Sequence, residues 1–123
     1  MKTPYRVLCL VVLAALLHLT LGWEWTAAAG LAAGYVLPRG WLAGAVVVSL
    51  DYLVFTIFSF ARDAAAVHRM TETMGGFLGN MPSSVVVALT LLIGTLIGAS
   101  SGAAGTQMRR MVDLRRTPAD PAR

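Results

Sequence analysis

Residues 41–61 read WLAGAVVVSLDYLVFTIFSFA, an apolar run whose one charged side chain, Asp51, stands at its centre. Wound as an α-helix the run is about 31 Å long, which matches the hydrocarbon core of a bilayer. A second uninterrupted run at 84–106, SVVVALTLLIGTLIGASSGAAGT, would reach roughly 34 Å. Two such runs in 123 residues, with 57% apolar and only 13% charged residues and a mean hydropathy of +0.70, leave too little polar surface to coat a soluble fold. They exclude disorder for the same reason. The chain reads as an all-α integral membrane protein.

Two shorter segments precede these. The first, 5–22, follows Lys2 and Arg6 and would span about 27 Å. A basic start, an apolar core and Ala27, Ala28 and Ala29 also fit a cleavable signal peptide. Trp23, Glu24 and Trp25 stand in between, where an interfacial aromatic belt would place them, and favour a retained span. The other, 25–37, is short at about 20 Å and rich in Ala and Gly, and Pro38, Arg39 and Gly40 end it.

Charge decides whether that short run crosses. With four crossings, Lys2, Arg6, Arg39, Arg109, Arg110, Arg115, Arg116 and Arg123 share one side. Only Arg62 and Arg69 take the other, beside Glu24, Asp63 and Glu72. That is the asymmetry of cytoplasmic ends. The expectation is four transmembrane helices over about 5–22, 25–37, 41–61 and 84–106, with both termini cytoplasmic. Residues 1–110 form the membrane domain, and 111–123 a polar, disordered cytoplasmic tail.

Between the third and fourth spans, Val67, Met70, Met74 and Phe77 or Leu78 recur at helical spacing, with His68, Arg69 and Glu72 opposite. This predicts a short interfacial helix on the outer surface. Gly75, Gly76, Gly79, Asn80 and Pro82 follow as a flexible turn.

The formal net charge of +4 places bases at the ends of apolar runs rather than on one face, so no nucleic-acid partner is implied. Cys9 is the only cysteine and reads as a small buried hydrophobe. His68 and Glu72, four residues apart, are a surface pair rather than two ligands of a metal site. No phosphate loop, nucleophile elbow, HExxH or carboxylate cluster is present, so neither an enzyme nor a cofactor is expected.

Glycine spacing is the strongest pattern. Gly94, Gly98 and Gly102 recur every four residues along one face of the fourth span, with Ser101 and Gly105 beside them. Gly30 and Gly34 repeat the spacing in the second span, and Gly40 and Gly44 at the start of the third. Small residues at i and i+4 let helices approach closely in lipid, so these glycines are expected to pack helices, within this chain or between copies.

Asp51 is the anomaly. An aspartate at a helix centre costs about 2.5–3.5 kcal/mol on insertion scales, so something must compensate. His18, in the outer half of the first span, lies within about one helical turn of the same depth, and the two can pair. Tyr52, next in sequence, points elsewhere around the helix.

Trp23 and Trp25 at the end of the first span, the short glycine-bearing second span, Leu42-Ala43-Gly44, and Leu91-Leu92-Ile93-Gly94-Thr95-Leu96-Ile97-Gly98 before a basic end resemble a family of small, uncharacterised four-helix bacterial inner-membrane proteins. The resemblance covers most of residues 7–110. It implies the same topology in a bacterial inner membrane and no known activity. Asp51 has no counterpart in the pattern, so the resemblance assigns it no role.

The leading expectation is a non-catalytic accessory or structural subunit, partnered by the bilayer and by other membrane subunits or its own copies. The alternative is a small homo-oligomeric channel or transporter with Asp51, helped by His18, on a proton or ion path.

Overall fold

The computed structural model describes residues 3–116, of which 92% are helical, with no strand among them. Helix α1 covers Thr3–Leu21, α2 Thr26–Val36, α3 Gly40–Phe77 and α4 Ser83–Arg116, with a 3₁₀ turn at Trp23–Trp25. Helices α1, α3 and α4 are long and apolar enough to cross a membrane. α2 has eleven residues and a length of about 16 Å, so it is not one of them.

Each connection is dictated by its residues. α1 stops at Gly22, whose φ of 100° suits glycine and whose amide still bonds to the His18 carbonyl at 3.2 Å. α2 stops where Leu37, held extended before Pro38, leaves the helical region. Arg39 then adopts φ 54°, and Gly40 begins α3 at once. Beyond α3, Gly79 (φ 90°) and Asn80 (φ 62°) make the turn into α4, and Met81 N–H bonds back to the Gly75 carbonyl at 3.0 Å.

α3 is two helices joined at a break. Asp63 sits at φ −155°, ψ 81°, and its Oδ1 accepts from Ala66 N–H at 2.8 Å, which makes it the N-cap of 64–77. The segment expected to be helical is so, and it turns Thr71 and Gly75 inward while Met70, Met74 and Phe77 remain exposed. Gly75 and Gly76, expected in the turn, belong to this helix; only 78–82 is irregular. Likewise α4 does not end with the apolar run. It continues through Arg116, so 111–116, expected as disordered tail, are helical, and the rest of the tail lies outside the described residues.

The helix order follows from the contacts. Gly40, Gly44, Val48 and Tyr52 of α3 meet Thr106, Gly102, Gly98 and Gly94 of α4 in descending order, so the two are antiparallel. Gly30, Gly34 and Leu31 of α2 meet Ser101, Gly102 and Gly105, so α2 runs parallel to α4. α1 runs with α3: Val7 lines a cleft with Arg39, Leu42 and Val46, and His18 reaches Asp51. Arg6, Arg39 and Arg109 therefore come to one end of the bundle, and the Gly22 turn and Arg62 to the other.

Large apolar side chains face outward and small ones inward. Leu16, Leu19, Ile57, Phe58, Leu92, Ile93 and Leu96 are exposed, whereas Ala14, Ala29, Ala33, Val47 and the glycines fill the centre. That arrangement suits lipid surroundings, where close backbone approach replaces hydrophobic burial as the source of association. The expected glycine packing is within the chain. A side chain at Gly34 would stand 2.7 Å from the Gly102 Cα, and one at Gly44 2.8 Å from that same atom. Thr106 Oγ1 donates to the Gly34 carbonyl at 3.2 Å and Ser49 pairs with Thr95 at 2.7 Å, fastening α4 to both neighbours.

Candidate functional site

The site is built on Asp51. Helix α3 needs an inward face against α1 and α2, and Val47, Val48 and Asp51 supply it at successive turns. Asp51 is fully buried, about 16 Å from each end of the 40–62 half-helix.

His18 meets it there. Nδ1 of His18 and Oδ2 of Asp51 share a hydrogen bond at 3.0 Å, joining two residues 33 positions apart. The imidazole is held by stacking on Phe55, ring centroids 4.2 Å apart, with Tyr52 at 5.8 Å on a tilted plane. Phe55 lies one turn beyond Asp51 on the same face, which is why a side chain on α1 touches both. Tyr52 does not point away as expected. Its ring lies between His18 and Gly94, where the absent side chain of Gly94 makes room for it; a Cβ there would stand 2.9 Å from the ring.

The second carboxylate oxygen is different. Asp51 Oδ1 is buried with no hydrogen-bond partner among the described residues. A buried acceptor left so carries the desolvation penalty of its group, about 1–3 kcal/mol and more when charged. Gly30 lies against Val48, so Thr26, one turn earlier on the antiparallel α2, is at the depth of Asp51, and both are fully buried.

His18 also faces a cleft. It keeps 22% of its side-chain surface and helps line a cavity of about 510 Å³ on the Arg62 side of the pair. Aromatic and apolar groups dominate the walls: Trp23, Phe55, Phe60, Met70 and Met74. Asp51 lies behind His18 rather than in the wall.

The remaining candidates fall elsewhere. Gly30, Gly34, Gly94, Gly98 and Gly102 line helix contacts, and Cys9, expected to be buried, is exposed on α1. His68 and Glu72 form an exposed pair at 3.4 Å. Among the described residues no three His, Cys, Asp or Glu side chains gather in a metal-binding group. No protein-family model matches the chain, and neither a curated protein nor a solved structure matches it.

Proposed function

We propose that this chain is a four-span protein of the bacterial inner membrane, both termini cytoplasmic, in which Asp51 and His18 form a proton-binding site on a proton path entered through the cleft. One observation carries the reading: a fully buried carboxylate has one oxygen on a histidine that faces an open cavity and its other oxygen without a partner. An intramembrane carboxylate is expensive to keep, and a proton relay is a use that accounts for it. Imidazole is the side chain suited to pass a proton between about pH 5 and 8. The pair is complete in one chain, so this reading needs no second copy at the site.

The topology is supported by charge. Arg6, Arg39 and Arg109 at one end of the bundle are the pattern of a cytoplasmic face, with α2 as the short fourth crossing. On that reading the cleft lies on the outer side of the pair, and 64–77 lies at the outer interface.

Reconstituted vesicles carrying a pH-sensitive dye test the function. Under an imposed potassium potential, the protein is expected to dissipate a pH gradient, and Asp51→Asn to slow it by about tenfold or more. Equal rates for both proteins would refute the path.

The non-catalytic accessory-subunit reading has its own support in 64–77, where Phe77 is 88% and Met70 65% exposed, an apolar face open to another membrane protein or to lipid. It gains ground if a larger subunit accompanies the chain at fixed stoichiometry when native membranes are gently solubilised and the vesicles show no flux.

A further inference from the structure

We propose that the cleft above His18 binds a lipophilic organic cation, in competition with the proton on the Asp51–His18 pair; this rests on the proton-site reading and names a ligand for the same site. The cavity of about 510 Å³ falls within the range of small-molecule pockets, and its lining has their composition: apolar walls with a few polar groups at fixed places. Trp23, Tyr52, Phe55 and Phe60 offer aromatic surface to a cation, which is attracted to ring faces within about 6 Å.

Charge selects the ligand's sign. With neutral imidazole the pair carries one negative charge; with imidazolium it carries none. Among the described residues no other charged side chain lines the cavity. On α1 no titratable group but His18 lines the cavity, and on α3 only Tyr52 does, with Asp51 behind His18. From α4 come Val86, Val87 and Thr90, from 64–77 Val67, Met70, Thr71 and Met74, and from the 3₁₀ turn Trp23. His68 and Glu72 line neighbouring surface cavities instead. An anion is repelled by the carboxylate, and a strongly hydrated metal ion finds no oxygen-ligand cage in the cavity wall. A diffuse, weakly hydrated cation fits both the walls and the charge. Its entry favours release of the imidazolium proton to solution, so one positive charge replaces another.

Titration calorimetry of the purified full chain in nanodiscs, with tetraphenylphosphonium as probe, tests this. Binding is expected to weaken about tenfold or more from about pH 8 to about pH 5, with a proton released on binding. Triphenylphosphine oxide, apolar and uncharged, is expected to bind without that pH dependence, and Asp51→Asn to lose the preference for the cation. Phe60→Ala, at the cavity wall and away from the pair, is expected to weaken the cation while leaving the pH dependence. No cation binding, or binding equal for charged and neutral probes at both pH values, would overturn the inference. The proton site would stand or fall separately, on vesicle flux measured without any cation.

Discussion

Gly98→Leu is expected to destabilise the bundle by about 3 kcal/mol or more. A Cβ at Gly98 would meet the Gly44 carbonyl oxygen, the Val48 Cβ at 2.8 Å and the Gly44 carbonyl carbon at 2.9 Å. These are backbone and a β-branched stem, which have no rotamer to retreat into. Relief requires α3 and α4 to separate, and that would also open Gly102 from Gly40 and Ser49 from Thr95. Gly76 is the control: a Cβ there meets nothing within 4 Å, so Gly76→Ala is expected to be neutral or slightly stabilising. Denaturant unfolding in micelles, followed by circular dichroism, reads both. Equal stability of the two variants would mean that α3 and α4 are not in backbone contact.

His18→Leu has the second large effect. It leaves both oxygens of Asp51 buried without a donor, and the expected cost is about 2 kcal/mol or more. Asp51→Leu removes the charge together with its unpaired oxygen, and a membrane interior accepts leucine, so its cost is smaller. The double variant is therefore expected to be more stable than His18→Leu alone. The cycle should show a coupling of about 1 kcal/mol or more, where independent sites add to within about 0.5 kcal/mol. Additive costs would mean that the 3.0 Å contact does not hold the pair together in the membrane.

Much of this was legible in the sequence, for identifiable reasons. Helical rise converts residue number into depth, so the proximity of His18 and Asp51 followed once α1 and α3 were taken as spans. The spacing of Gly94, Gly98 and Gly102 announced a packing face because only close backbone approach explains a glycine every turn. Which helices the face meets was not legible: spacing says that a partner exists and cannot distinguish α2, α3 or another copy. Tyr52 was misplaced because a rotation of about 100° per residue removes it from the Asp51 face without showing that the next face is also buried, against Gly94. Phe55 was recoverable, since a residue four positions from a buried aspartate shares its face.

Element ends were read less well where one criterion stood in for another. The fourth run was closed at its charges, which limit a membrane span, whereas Gln107, Met108, Arg109, Arg110 and Met111 are good helix formers and carry α4 on to Arg116. Gly75 was assigned to a turn because glycine punctuates loops. In the structure it is the buried small residue that lets 64–77 approach the Met81 carbonyl, a tertiary reason no local rule contains.

Infrared difference spectroscopy across a pH step in oriented lipid films tests the proposed proton site at Asp51. A protonated-carboxyl band that grows on acidification, is absent in Asp51→Asn and is altered in His18→Phe is the expected result. A spectrum identical in the unmodified protein and Asp51→Asn would contradict it, and would return Asp51 to a packing role.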